Sequence, residues 1–141
     1  MDIKKHITAL GFVPKNGTNG IYHKTYVDYA IEIDFEKQNI NYGNSIIAEN
    51  RTTQNFSQPE NFVVLECVDR LLIKGYKPQN IVLEKTWPSG HGTSGRLDIC
   101  VNREDGTPYM LIECKTYGKE YKKESTKIHK DGGQLFTYFQ L

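Results

Sequence analysis

Residues 95–101 read Gly-Arg-Leu-Asp-Ile-Cys-Val, and residues 109–115 read Tyr-Met-Leu-Ile-Glu-Cys-Lys. Both stretches are rich in apolar residues and flanked by turn-forming residues, so each is predicted to form a strand. An Asp-Gly dipeptide between them is typical of a tight turn between antiparallel strands. We therefore predict a β-hairpin that carries Asp98 on its first strand and Glu113-x-Lys115 on its second.

The second stretch alternates between polar and apolar side chains. Because successive side chains of a strand point to opposite faces, Glu113 and Lys115 are expected on one face and the Cys114 thiol on the core side. The chain has three cysteines and no C-x-x-C spacing, so we expect reduced, buried thiols in a cytoplasmic protein. These are Cys67, Cys100 and Cys114.

Asp98 is expected beside Glu113 across the hairpin, with Leu97 and Ile99 on the opposite face of its own strand. Two carboxylates that close repel each other unless a cation lies between them. Mg²⁺ binds one or two carboxylates together with water and substrate phosphate, and Mn²⁺ can substitute for it. We therefore predict a metal site formed by Asp98, Glu113 and the backbone carbonyl of Cys114.

Lys115 is expected on the same face as the two carboxylates. A lysine there would orient or activate a water molecule and neutralise the charge that develops on a phosphate. The structural alternative is an ordinary ion pair, because Glu-x-Lys is common at strand ends. An aspartate within an apolar strand is less common, because a buried carboxylate without a partner is unfavourable. The combination of Asp98 with Glu113-x-Lys115 therefore favours metal-dependent phosphodiester hydrolysis.

The N-terminal part of the chain predicts a helix and a small sheet. A short helix is expected from about residue 2 to residue 10, before Gly11. Residues 20–43 alternate between apolar and polar side chains and contain two turn signals, which predicts an antiparallel meander. Residues 48–57 are polar and poor in β-forming residues, so they are expected to form a linker.

A longer helix and further strands are predicted after this linker. Ser57 and Glu60 have the spacing of a capping box, so the helix is expected to begin there and to end near Lys74, before Gly75. Its apolar stripe comprises Val64, Leu65, Val68, Leu71 and Leu72. Strands are then expected at residues 81–87, 96–102 and 109–116, and a second helix from about residue 120 onwards.

This order of elements predicts an α+β or mixed α/β fold, with residues 1–56 as an extension and residues 57–141 as the core domain. The net charge of +1 does not by itself indicate a nucleic-acid-binding protein, and no apolar run is long enough to span a membrane. Lysines are concentrated in residues 115–130, which fits either a solvated surface or phosphate contact. Because residues 134–141 are apolar and lack a helix-stop signal, we expect the chain to be an N-terminal piece of a longer protein.

The acid and the Glu-x-Lys sequence, with their flanking motifs, resemble the PD-(D/E)xK nuclease superfamily. Asp98 corresponds to the first acid and residues 113–115 to the E-x-K, while Leu97 stands where the superfamily name has proline. Residues 134–138 match the Q-x-x-x-Y motif of one branch. Together these motifs resemble the N-terminal nuclease domain of type I restriction enzyme R subunits and related restriction–methylation proteins.

The resemblance implies a restriction-endonuclease-like αβββαβ core with a mixed sheet, and Mg²⁺-dependent cleavage of double-stranded DNA. It also implies methyltransferase and specificity subunits as partners, and ATP if a helicase motor follows the domain. By resemblance, Glu66 is expected to supply a further acid from the helix, although the helical wheel places it with Asp69 and Arg70, away from the apolar stripe. The alternative for Glu66 is a surface ion pair with Arg70. The residues expected to contact DNA are Gln134, Tyr138, Lys119 and Lys123. By resemblance, Gln134 and Tyr138 could instead orient Lys115, and their structural alternative is a partly buried helix.

Two other functions stay open from the sequence. A non-catalytic DNA-binding or assembly module could keep the nuclease fold, and the near-neutral charge is compatible with it. A repair nuclease or junction resolvase of the same superfamily would carry the same acids. Metal binding separates the first alternative from a nuclease, and cleavage of branched against linear DNA separates the second from a restriction enzyme.

Overall fold

The structure is a computed structural model that describes residues 2–88 and 94–116, with the side chains of residues 87, 88 and 94 left aside. Within these ranges the chain forms two α-helices, a short 3-10 helix at Pro78–Asn80, and eight strands. The helices are α1 (Ile3–Ala9) and α2 (Glu60–Ile73). The strands are β1 (Val13–Pro14), β2 (Ile21–Thr25), β3 (Ala30–Asp34), β4 (Asn39–Asn41), β5 (Ile47–Ala48), β6 (Ile81–Pro88), β7 (Ser94–Asn102) and β8 (Pro108–Ile112).

The first sheet is an antiparallel meander in the order β1-β2-β3-β4. Its last three strands confirm the meander predicted for residues 20–43. Strand β1 was not predicted, because a strand of two residues is too short to show alternation. Buried Ile31, Ile33 and Ile40 turn one face of this sheet towards the core, as the period of two requires.

The second sheet has the order β5-β6-β7-β8 and is mixed, because β5 runs parallel to β6 while the other pairs are antiparallel. Gly106, with a φ of +87°, lies in the turn that joins β7 to β8 and confirms the predicted hairpin. Strand β8 ends at Ile112, earlier than the predicted residue 116. The amide of Cys114 donates to the side chain of Asp98, so it is not used in a strand ladder.

Helix α2 buries the predicted apolar stripe. Its start differs from the prediction, because Pro59 occupies the N-cap position and no side chain caps the helix. The Ser57 hydroxyl bonds instead to the side chain of Asn55. The predicted capping box is therefore wrong, whereas the predicted end at Gly75 is confirmed by a φ of +97° there. No helix in the described ranges is long and apolar enough to cross a membrane.

The first sheet covers the polar side of α2 at Asp69, which the helical wheel did not anticipate. Asp69 is only 2% exposed. Its Oδ1 accepts a hydrogen bond of 2.5 Å from the Tyr26 hydroxyl and lies 2.7 Å from the Lys24 ammonium. A buried carboxylate is stable only with such partners. The main hydrophobic core is accordingly continuous across residue 56 and includes residues from both sheets and both helices.

The predicted linker is anchored rather than extended through solvent. Strand β5 includes Ala48, and Thr53 is buried. The side-chain amide of Asn61, on α2, donates to the backbone oxygens of Thr52 and Asn55 at 3.1 and 2.8 Å. The α+β class is confirmed, and the order α2, β6, β7, β8 gives the first four elements of the predicted αβββαβ core. The remaining helix and strand fall outside the described residues.

Replacing the buried Asn61 by alanine is expected to lower the free energy of unfolding by about 1–2 kcal/mol, because the partly buried carbonyls of Thr52 and Asn55 lose their donor. Urea denaturation measures the change. Asn80→Ala is the matched control, since its side chain bonds only to the exposed Glu104 in the described ranges, and it should stay within about 0.5 kcal/mol of wild type. Equal losses in the two variants would contradict the anchoring role of Asn61.

Candidate metal site on the β7–β8 hairpin

The hairpin places the two predicted acids next to each other. Strand β7 pairs with β8 through Ile99 and Ile112, and the same register carried one step further brings Asp98 opposite Glu113. The backbone amide of Cys114 donates a hydrogen bond of 2.7 Å to Asp98 Oδ2. This bond fixes one oxygen of the Asp98 carboxylate at the end of β8.

Glu113 and Lys115 lie on the same side of the strand end, as the alternation of side chains predicted. Lys115 Nζ is 3.7 Å from Glu113 Oε1, and the two side chains are 19% and 6% exposed. The second oxygen of the carboxylate, Glu113 Oε2, is buried and has no hydrogen-bond partner among the residues that the structure describes. A buried carboxylate oxygen without a hydrogen-bond partner is rare in a folded protein, so this atom is a candidate to bind an ion or a water molecule.

Burial, first, and the charge of Asp98 raise the pKa of Glu113 to about 7, against the opposing charge of Lys115. The pKa of Asp98 is also raised, first by burial. Its hydrogen bond from the Cys114 amide and the charge of Lys115 act in the opposite direction. A cation placed between two neighbouring carboxylates would favour the charged forms that burial and mutual repulsion disfavour.

The strand is not regular at Asp98, which corrects one prediction. Ile99 belongs to the main core, whereas Leu97 packs with Val82 and Cys100 in a small cluster on the other face of the sheet. Leu97 and Ile99 therefore lie on opposite faces, and the prediction that they share one is wrong. Directly across the sheet, on β6, Glu84 has a φ of +54°, and the pairing between β6 and β7 lacks the pair between Glu84 and Asp98.

Cys114 turns its thiol into the core, as predicted, and is 5% exposed. The three cysteines are free; Cys100 and Cys114 are buried, as predicted, whereas Cys67 is half-buried. A hydrogen bond to Cys67 and burial raise the pKa of Cys114, while the same bond lowers the pKa of Cys67. Burial also raises the pKa of Tyr42, which lies within electrostatic range of both thiols and is contributed by the N-terminal region. The carbonyl of Cys114 as a metal ligand stays a prediction.

Two further acids influence the site, and sequence reasoning did not assign them to it. The charges of Glu60, the first residue of α2, and of Glu84, on β6, both raise the pKa of Asp98. Glu84 interrupts the apolar run Ile-Val-Leu, the same signal that identified Asp98, so it could have been found. Glu66 is bound by Arg70 at 2.8 Å, the arrangement expected for a surface ion pair, and its part in the site stays a prediction.

The described residues offer two carboxylates rather than a larger cage. In residues 2–88 and 94–116, no group of three histidine, cysteine, aspartate or glutamate side chains could hold a metal ion. Asp98, Glu113 and a backbone carbonyl nevertheless suit Mg²⁺, which takes one or two carboxylates and keeps several waters. The unsatisfied Glu113 Oε2 fits such an ion. The four residues predicted to contact DNA, Gln134, Tyr138, Lys119 and Lys123, lie outside the described residues.

Comparison with protein families identifies the part of the chain that carries this site. Residues 59–140 match the family described as type I restriction enzyme R protein N terminus (HSDR_N). The chain belongs to this type I restriction enzyme R protein N-terminal family. No protein with curated annotation matches the chain. The R protein family match begins at Pro59, immediately before α2, and includes Asp98, Glu113 and Lys115, whereas the first sheet precedes it.

Proposed function

We propose that the chain is a Mg²⁺-dependent endonuclease domain that cleaves phosphodiester bonds of double-stranded DNA in a type I-like restriction system. The observation that carries the proposal is the buried Glu113 Oε2, which has no hydrogen-bond partner in residues 2–88 and 94–116 and belongs to a carboxylate beside Asp98. Membership of the type I restriction enzyme R protein N-terminal family supports the restriction context. Methyltransferase and specificity subunits are the proposed partners, with ATP required if a motor follows the domain.

Asp98 and Glu113 are the proposed metal ligands, with the Cys114 carbonyl as a third. When bound, Mg²⁺ supplies positive charge at the scissile phosphate and lowers the pKa of a water molecule. The chain prepares for this by orientation, because the Cys114 amide holds Asp98 Oδ2 at 2.7 Å. Hydrogen bonds of this kind to a ligating carboxylate fix its direction before the ion arrives.

Lys115 is the proposed source of fixed positive charge from the protein. Its ammonium is 3.7 Å from Glu113 Oε1, a separation longer than a normal hydrogen bond, and its side chain is 19% exposed. The lysine is thus kept near the carboxylates while part of it reaches solvent. From there it can donate to a phosphate oxygen on which charge develops, or orient the attacking water. Gln134, Tyr138, Lys119 and Lys123 are proposed to contact DNA.

The test is cleavage of plasmid DNA with Mg²⁺ by the wild-type chain, Asp98→Ala and Lys115→Ala. Each reaction is run with the chain alone and with methyltransferase and specificity subunits plus ATP. The proposal expects nicking or cleavage by the wild type under at least one condition, and its loss in Asp98→Ala and in the presence of EDTA. Equal activity in all three proteins would refute it. Absence of Mg²⁺ and Mn²⁺ binding in calorimetry would favour a non-catalytic module with the nuclease fold.

A further inference from the structure

Glu84, on β6, is a buried acid that the proposed chemistry does not use directly. Its side chain is 1% exposed, and its backbone φ is +54°, which residues other than glycine rarely adopt. The pairing of β6 with β7 is regular on both sides of this residue, but it contains no pair between Glu84 and Asp98. An unusual backbone conformation therefore lies directly across the sheet from a proposed metal ligand.

The carboxylate of Glu84 is held by the segment that precedes α2. Glu84 Oε1 accepts a hydrogen bond from the Thr52 hydroxyl, and Oε2 accepts bonds of 3.2 Å from both the amide and the hydroxyl of Thr53. The side-chain amide of Asn50 approaches the Glu84 carbonyl at 3.4 Å, and Arg96 Nη1 is 3.7 Å from Oε1. These contacts hold both the side chain and the backbone of Glu84 in place.

Strand β7 is irregular directly across the sheet from Glu84. In a regular strand Leu97 and Ile99 would share a face, yet they pack in different clusters on opposite faces. Asp98 lies between them, at this break in alternation. Its Oδ2 meets the Cys114 amide at 2.7 Å. Strained or irregular strand positions of this kind occur preferentially next to functional sites.

We propose that Glu84 is a positioning residue for Asp98: its carboxylate, held by Thr52 and Thr53, fixes the left-handed backbone that directs Asp98 towards the metal site. That Asp98 binds a metal rests on the proposed function, whereas the placement of Asp98 can be measured without an ion. Thr52 and Thr53, in the segment before α2, would then help to determine the geometry of the site on β7 and β8.

The test compares Glu84→Ala with Glu84→Gly. Alanine removes the carboxylate and disfavours a positive φ, whereas glycine removes the carboxylate but adopts a positive φ readily. The metal-free readout is the ¹H chemical shift and exchange protection of the Cys114 amide, which reports its bond to Asp98. The second readout is Mn²⁺ affinity by calorimetry, which should fall about 10–100-fold in Glu84→Ala, as for other residues that orient metal ligands. Glu84→Gly should stay closer to wild type in both readouts.

Glu49→Ala is the matched control, since the Glu49 carboxylate accepts a hydrogen bond of 3.1 Å from the Thr86 amide and pairs with Lys85 on the same strand, and in the described ranges it makes no hydrogen bond or ion pair with Glu84. The proposal is overturned if folded Glu84→Ala keeps the wild-type Cys114 amide signal. It is also overturned if the Cys114 amide signal shifts equally in Glu84→Gly and Glu84→Ala. Should Glu84→Ala not fold, Thr52→Val combined with Thr53→Val removes two donors and must move the same signal. If the Cys114 amide signal moves in Glu84→Ala but the wild type does not bind Mn²⁺, the proposed function is refuted while the positioning role of Glu84 stands.

Discussion

Replacing Lys115 by alanine is expected to lower the rate of Mg²⁺-dependent DNA cleavage by about 10²–10³-fold, the usual effect of removing one preorganised donor to a developing negative charge. The lysine is positioned for this role because its ammonium lies 3.7 Å from Glu113 and its side chain is partly exposed. Metal affinity should fall little, or rise, because Lys115 is a positive charge beside the proposed cation site.

The measurement is the single-turnover cleavage rate at saturating Mg²⁺, together with Mn²⁺ affinity by calorimetry. Lys77→Ala is the matched control, because Lys77 pairs with Glu104 on the surface at 3.0 Å and its side chain is 57% exposed. That variant should cleave like wild type. A Lys115→Ala protein that is folded, binds Mn²⁺ and cleaves at the wild-type rate would remove Lys115 from the mechanism.

Replacing Glu113 by glutamine is expected to stabilise the metal-free protein at pH 8 while weakening metal binding. Burial and Asp98 raise the pKa of Glu113 from 4.5 to about 7, so the folded protein binds this proton more tightly than the unfolded chain does. The stabilisation from this carboxyl is therefore fully present below pH 4.5 and is lost as the pH rises through 7. The loss amounts to roughly 3 kcal/mol at most, and glutamine does not suffer it.

Urea denaturation in EDTA at pH 5 and pH 8 measures this effect. The gain of Glu113→Gln over wild type should be small at pH 5 and should grow to about 1–3 kcal/mol at pH 8. Glu104→Gln, at an exposed glutamate paired with Lys77, should show no such gain. Addition of Mn²⁺ at pH 8 should stabilise the wild type but not Glu113→Gln. A gain that is the same at both pH values would contradict an ionised, unsatisfied Glu113.

Periodicity in the sequence was sufficient for most of the fold. The meander, α2 and the β7–β8 hairpin all have alternation or helical spacing strong enough to be recognised, because each buries a single face. The predicted start of α2 was wrong, because the Ser57 hydroxyl bonds to the side chain of Asn55 and does not cap the helix. Asp69 was expected on the polar side of α2, but it is buried. A helical wheel describes one helix alone, so it cannot show that the first sheet covers α2 at this residue.

The candidate site was predictable in its residues but not in its geometry. Asp98 and Glu113 were recognised because acids in apolar strands need partners, and the hairpin register brought them together. The direction of Asp98 could not be derived from alternation, because β7 is irregular there, across from a positive φ at Glu84 that no local sequence preference indicates. Glu84 itself is held by Thr52 and Thr53, more than thirty positions earlier, so its role is visible only in three dimensions.

The most direct test of the central claim is the location of Mn²⁺ in crystals of the chain by anomalous diffraction. We expect one anomalous peak at the end of β8, about 2.1 Å from oxygens of Asp98 and Glu113 and from the Cys114 carbonyl. The peak should be absent from crystals of Glu113→Gln grown under the same conditions. No peak at this position, at a Mn²⁺ concentration that supports DNA cleavage, would contradict the assignment of these two carboxylates as the metal site.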